Sequence, residues 1–249
     1  MTARPDFARS VLAVTGTDRE HFLQGLVSND VRKAAGGIIY TALLTPQGKY
    51  IADFFVIGQP DRLLIDVATP LAAALAQRLS MYRLRADVQI TPTDLTVSRG
   101  TSPAPDGALP DPRHPALGWR HYGATDISDQ TDWDALRVAH LIPETGIELT
   151  PDTYILEAGF ERLHGVDFRK GCYVGQEVTA RMKHKTDLRK GLASVQITGT
   201  AAPGTSIMAG DKEAGTLFTQ SGNRAIAWLR FDRATAPLTA GDATVTPLP

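Results

Sequence analysis

The alternation of apolar and polar positions divides the chain into a run of short elements. Ser10 to Gly16 is a brief apolar run that predicts a strand. Thr17-Asp18-Arg19-Glu20 then spells a capping box, with Thr17 placed to cap and Glu20 to answer three residues later. Phe22, Leu23, Leu26 and Val27 share one helical face, so a helix is expected to about Ser28, closed by Asn29-Asp30. Gly36-Gly37 leads into an apolar run from Ile38 to Leu44. The turn Thr45-Pro46-Gln47-Gly48 folds this back onto Tyr50 to Ile57 as a hairpin. A further strand, Arg62 to Val67, precedes Thr69-Pro70, a cap and first-turn proline for a helix carrying Leu71, Leu75, Leu79 and Tyr82.

Asp87 to Thr91 and Leu95 to Ser98 look like strands, and residues 100–115 form a proline-rich loop without periodicity. Gly118 to Tyr122 is strand-like. Thr131-Asp132 caps a helix with Trp133, Leu136, His140 and Leu141, which Pro143 ends. Ile155 to Leu163 and a short stretch from Val174 also read as helical. After Gly191 the texture changes to short strand candidates between glycine- and aspartate-bearing turns: Leu192 to Ile197, Ser206 to Met208, Thr216 to Gln220, Arg224 to Phe231 and Ala243 to Thr246. The pattern predicts an α+β body over residues 1–190 and a small β-barrel or sandwich over residues 191–249. No internal repeat is visible.

Composition adds limits. A chain of 249 residues with 43% hydrophobic content can build ordinary cores. No apolar run reaches the roughly 18–20 residues of a bilayer span, and Met1 to Ala13 lacks a signal peptide's apolar core, so no membrane is expected and a cytoplasmic protein is. Arg4 and Arg9 would suit an organelle presequence, against which Asp6 and the early first strand weigh. The single cysteine forms no intramolecular disulfide, which fits a reducing compartment. Net charge is −1, but residues 169–190 carry seven basic side chains (Arg169, Lys170, Arg181, Lys183, Lys185, Arg189, Lys190) against Glu177 and Asp187. That local excess suits either an anionic ligand or a solvated basic face.

The cysteine lies in Phe168-Arg169-Lys170-Gly171-Cys172-Tyr173-Val174-Gly175-Gln176-Glu177. Flanking cations and a helix start near Val174 would favour a thiolate, and the glycines would allow close approach of a ligand or partner. The plain alternative is an inert buried thiol. A nucleophilic cysteine would want a base, for which His164 and His184 are candidates. As a ligand it is one thiolate where iron–sulfur clusters usually take four. His114, His121 and His140 have no metal-binding spacing, and no dedicated metal site is expected.

Lys170-Gly171-Cys172-Tyr173-Val174-Gly175-Gln176-Glu177 resembles the signature of the YgfZ family, folate-binding relatives of the glycine-cleavage T-protein (aminomethyltransferase) that assist iron–sulfur protein maturation. Further matches are Phe22 to Val31, Leu44 to Lys49, Tyr82-Arg83-Leu84-Arg85 and Leu117 to Arg120, so the resemblance spans nearly the whole chain. It implies a T-protein-like fold with a ferredoxin-like part and a C-terminal barrel. It also implies a tetrahydrofolate or one-carbon derivative as cofactor.

Candidate folate contacts under that resemblance are Glu157, in a matching Leu-Glu-Ala-Gly run, with Tyr173, Gln176, Arg181 and Asn29. The alternative for Glu157 is an ordinary exposed helix carboxylate. T-proteins carry paired aspartates after the hairpin turn, of which only Asp53 is present here. It is either a catalytic carboxylate or a buried hydrogen-bonded one. The resemblance implies an accessory protein for assembly, maintenance or repair of iron–sulfur enzymes, with client proteins or assembly factors as partners. The alternatives are a folate-dependent aminomethyl-type transferase and, disfavoured by the near-neutral net charge, an RNA-binding module.

Overall fold

The computed structural model describes residues 8–185, 188–235 and 237–248. Two compact units form, each from more than one stretch of chain: residues 1–131 with 161–176, and residues 132–160 with 177–249.

In the first unit, β1 (Arg9–Thr15), β2 (Ile38–Leu44), β3 (Tyr50–Gly58), β4 (Leu63–Ala68) and β5 (Gln89–Pro92) make an antiparallel sheet of order β2-β3-β4-β1-β5. The β2–β3 hairpin pairs Tyr40 with Phe55 and Ala42 with Asp53. Helices α1 (Arg19–Gln24) and α2 (Thr69–Tyr82) contribute Phe22, Leu23, Leu75 and Leu79 to the apolar core with Leu12, Val14, Phe54, Val56, Ile65 and Val67. Because strand side chains alternate, Tyr40, Asp53, Phe55 and Asp66 point to the opposite face. That face is buried too, under β6 (Thr96–Gly100), β7 (Leu109–Pro110) and β8 (Trp119–Gly123), which pair in the order β6-β8-β7.

The covering is ionic as well as apolar. Arg120 on β8 donates to Asp66 Oδ2 at 2.6 Å, Arg9 donates to Asp66 Oδ1 at 2.6 Å, and Tyr122 donates to the same carboxylate at 2.9 Å. The Arg120 guanidinium lies 4.0 Å from the Phe55 ring centre, and Arg113, paired with Asp111, lies over the rings of Phe55 and Tyr40. Burial alone would push Asp66 up, but the two guanidinium groups hold its carboxyl down at about 2.

The second unit contains α3 (Trp133–His140), α4 (Gln176–Lys185) and a closed barrel. The barrel strands are β9 (Lys190–Thr198), β10 (Ser206–Ala209), β11 (Lys212–Ser221), β12 (Arg224–Arg230), β13 (Leu238–Ala240) and β14 (Ala243–Pro247), in the order β10-β11-β12-β9-β14-β13. Closure leaves no unpaired edge, and Val195, Ile197, Ile207, Leu217, Leu229, Leu238 and Val245 fill the interior. Asp132 caps α3 as expected, accepting from the Ala135 N–H at 3.0 Å. Buried Arg137 on that helix donates to Glu148, whose other oxygen accepts from Thr219 of β11.

Several local expectations are corrected. The capping box at Thr17 does not form: Thr17 donates its N–H and hydroxyl to Asp87, and Asp18, without a side-chain cap bond, precedes the helix. Helix α1 stops at Gln24 rather than near Ser28, since Ser28 is drawn into bonds with Thr41 and the Gly165 carbonyl. Residues 155–164 form successive turns rather than a helix, with Gly159 and His164 at positive φ. The helix after the cysteine begins at Gln176, beyond Gly175, whose φ of 83° suits glycine. β13 was not signalled by sequence: three residues beside a proline are too short to show a period.

Candidate functional site

The cysteine loop is held by its lysine. Lys170 turns inward and donates from Nζ to the Gln24 carbonyl at 2.7 Å and to the Val27 carbonyl, the acceptors that α1 and the turn after it leave open. Its ammonium lies 4.8 Å from the centre of the buried Tyr173 ring. Burial pushes this lysine down to about 8. Asp167 steadies the approach to the loop, accepting from the Arg169 N–H at 2.7 Å and from Lys33 Nζ at 2.6 Å.

On the far side of the cysteine, Gly175 packs against the β2–β3 turn. A Cβ there would sit 2.6 Å from the Thr45 carbonyl oxygen and 3.2 Å from Gly48 Cα. Between these anchors, Gly171 and Cys172 are exposed and the thiol is free. The thiol is therefore not buried, as the plain alternative had it. It also corrects the charge argument, because Lys170 is committed to carbonyls inside the fold and α4 begins four residues after the thiol. Beside Gly171 a cleft of about 500 Å3 is lined by Thr17, Glu20, His21, Gln24 and Arg32. Sequence reasoning did not single out these residues as a site.

Two other candidates in this unit have structural work. Asp53 is buried and accepts from Tyr50 OH at 2.7 Å and Tyr40 OH at 2.9 Å, so the hydrogen-bonded alternative describes it. Burial beside this carboxylate pushes the Tyr40 hydroxyl well above its ordinary value. Asn29 donates from Nδ2 to the carbonyls of Tyr40 and His164 at 2.8 and 2.7 Å, and its Oδ1 accepts from the Asp30 N–H. Its amide closes the segment 161–176 onto the sheet. Gln176 is half-buried at the start of α4, and its N–H donates to the Tyr173 carbonyl at 3.2 Å.

In the second unit Glu157 is buried, and it lies in a turn instead of an exposed helix. Its carbonyl accepts from the Leu192 N–H at 2.8 Å, and Gly191 permits the approach, since a Cβ there would stand 2.8 Å from that oxygen. Its carboxylate lies 3.7 Å from Lys190 Nζ. A cleft of about 400 Å3 opens here, lined by Glu157, Met182, Leu188, Arg189, Lys190, Arg230 and Asp232. It combines one buried acceptor, an apolar wall and a cationic rim. A ligand with N–H donors on one end and carboxylates on the other matches that donor set. Arg189 and Lys190 belong to the basic run read from sequence, whereas nothing in the spacing pointed to Arg230 on β12. Arg181 and Glu177 are exposed on α4. The sequence candidates thus fall into two sets, with Asn29, Asp53, Cys172, Tyr173 and Gln176 in the first unit and Glu157, Glu177 and Arg181 in the second.

Comparison with known proteins bears on the fold and on the chain's relatives. Residues 189–249 match the family described as CAF17, C-terminal beta-barrel domain. The Mycosarcoma maydis protein named iron-sulfur cluster assembly factor IBA57 homolog, mitochondrial, is 32% identical over 231 residues, covering 78% of this chain and 57% of that protein. The mouse and human proteins named iron-sulfur cluster assembly factor IBA57, mitochondrial, are each 28% identical, covering 92% of this chain and 78% of theirs. The chain spans little more than half the length of the first fungal relatives, 57% and 51%. Among solved structures, glycine cleavage system aminomethyltransferase T from Bartonella henselae matches with a TM-score of 0.76 over 96% of this chain and 82% of that one, at 12% identity. That likeness shows a shared fold. The expected cytoplasmic setting is contradicted by these relatives, which are named mitochondrial proteins. Among the described residues no helix is long and apolar enough to cross a membrane.

Proposed function

Starting from the chain's place among relatives of the IBA57/CAF17 iron–sulfur assembly factors, with an aminomethyltransferase-like fold, we propose that it is an accessory factor for assembling, maintaining or repairing iron–sulfur enzymes. In this proposal it holds a reduced folate at Glu157 and presents Cys172 to client proteins or assembly factors. The observation that carries the proposal is the exposed free thiol on a loop whose neighbours are locked in place, Lys170 on two carbonyls and Gly175 on the hairpin turn. The finer YgfZ assignment rests on the Lys170 to Glu177 octapeptide.

Folate supplies one-carbon chemistry when bound. Here Glu157 would accept from the N–H edge of the pterin, Met182 and Leu188 would flank its rings, and Arg189, Lys190 and Arg230 would meet the glutamate carboxylates. The transferase alternative is weaker, because Asp53 is buried and each of its oxygens is already engaged by a tyrosine hydroxyl.

Cys172→Ser is expected to fold normally and to abolish support of iron–sulfur enzymes in a strain lacking the native protein. Titration calorimetry with tetrahydrofolate should give binding that Glu157→Gln weakens by roughly tenfold or more, since a hydrogen bond to a charged group is worth about 1.5–3 kcal/mol. Lys212→Gln, at the start of β11, should leave it unchanged. Full complementation by Cys172→Ser would end the thiol's role, and absence of both heat and thermal shift would end the folate's.

A further inference from the structure

The charged side chains lining the cleft beside Glu157 are the cations Arg189, Lys190 and Arg230 and the carboxylates Glu157 and Asp232. The strand register sets two of the cations face to face. Across β9 and β12 Lys190 is the direct partner of Arg230, and Leu192 is that of Trp228, so Lys190, Arg230 and Trp228 project from one side of the pair. Like charges directly opposite one another on paired strands are destabilising.

Neither cation is well compensated. Arg230 Nε lies 3.7 Å from the Asp232 carboxylate, and Lys190 Nζ lies 3.7 Å from that of Glu157, both beyond ordinary hydrogen-bond length. The Lys190 ammonium leans on the Trp228 ring, 5.0 Å from its centre. Arg230 Nε is shielded from solvent and has no hydrogen-bond partner among the described residues. A shielded donor left unpaired costs free energy, most of all on a charged group. The two opposed cations are therefore held in an arrangement that an anionic acceptor would relieve.

We infer that Lys190 and Arg230 form a carboxylate seat, in which one carboxylate of the ligand bridges β9 and β12 and makes the cleft choose its ligand by the charged tail rather than by the rings. This deepens the folate reading and rests on it for the ligand's identity. A carboxylate gives both cations charge-assisted hydrogen bonds and cancels their repulsion. A ring without a tail would leave them opposed and the Arg230 donor unpaired.

Titration calorimetry on the full chain with three probes tests the seat: tetrahydrofolate, a tetrahydropterin that lacks the tail, and p-aminobenzoylglutamate, which lacks the pterin. Tetrahydrofolate should bind roughly tenfold or more tightly than the tetrahydropterin. Arg230→Gln and Lys190→Gln should each weaken tetrahydrofolate by roughly tenfold and close most of that gap. Without ligand, Arg230→Gln should hold or raise the thermal midpoint, because it removes one of two opposed charges together with the unpaired donor. A midpoint that falls along with binding makes Arg230 a structural residue and overturns the seat. Tetrahydrofolate binding that both variants leave at the wild-type level overturns it too, while the folate reading stands. Heat from p-aminobenzoylglutamate that Arg230→Gln abolishes, with none from tetrahydrofolate, supports the seat and ends the folate reading. No heat from either ends both.

Discussion

Removing the negative charge of Asp66 should expose how much of the first unit depends on its buried ion network. Asp66 is fully buried and faces the guanidinium groups of Arg9 and Arg120 with the Tyr122 hydroxyl. Asp66→Asn keeps the shape but leaves two buried cations around a neutral amide, of which Arg120 retains the Asp111 carboxylate at 3.5 Å and the Tyr122 hydroxyl at 3.3 Å. Truncating one partner of such a set typically costs about 3–5 kcal/mol. Proton linkage gives an independent figure. The folded carboxyl lies at about 2 against 3.8 for an ordinary aspartate. That gap is worth about 2.4 kcal/mol at neutral pH. Because the folded value is depressed, this stabilisation is present above 3.8 and is lost as pH falls through about 2; at pH 3 about 1.3 kcal/mol should remain.

Urea unfolding at pH 7 and pH 3, followed by Trp119 fluorescence in a Trp133→Phe, Trp228→Phe background, reports on this unit alone, since those two tryptophans belong to the other. The variant should lose about 2.5–5 kcal/mol at pH 7, and that loss should shrink by about 1.1 kcal/mol at pH 3. A loss under about 1 kcal/mol at pH 7, or one that does not shrink with acid, would refute the charge argument.

Lys170→Met should cost about 2 kcal/mol, because two carbonyls lose a charged donor, and under the proposed function should weaken iron–sulfur support in parallel; thermal melts and complementation check both. Since the folded Lys170 lies at about 8, below the 10.5 of an ordinary lysine, the unfolded chain binds more protons between those values. Wild type should therefore gain stability relative to Lys170→Met as pH rises from about 8 to about 10.5, measured by urea midpoints. Gly175→Ala should destabilise by about 2 kcal/mol or more, through the clash with the Thr45 carbonyl and its positive φ, whereas Gly171→Ala, which meets open space, should be neutral in the same melts.

Strands and the barrel were legible because their periods are local. The β2–β3 hairpin announces itself by Pro46 and Gly48, and the barrel by glycine-bearing turns at short intervals. What escaped was anything decided by a distant partner. Thr17 looks like a cap until Asp87, seventy residues on, takes its hydroxyl. Lys170 looks like a surface charge beside a thiol until Gln24 and Val27 offer carbonyls to it. Arg230 joins Glu157 only because β12 pairs with β9 along Arg230 and Lys190. The octapeptide singled out the cysteine loop, but the division of labour within it was invisible. Its two glycines look alike in sequence, and only Gly175 is under steric constraint.

The interleaving of the two units has a consequence for the order in which the chain can be completed. The first unit needs residues 161–176, but these leave a ribosome only after residues 132–160, which belong to the other unit. The bond from Lys170 to Val27 spans 143 positions, and that from Lys170 to Gln24 spans 146. A nascent chain can therefore assemble its sheet early and still lack an anchored thiol until the segment around residue 170 has emerged. During synthesis the cysteine is among the last parts of its unit to take its place, so a product truncated before it would carry the sheet without the thiol loop.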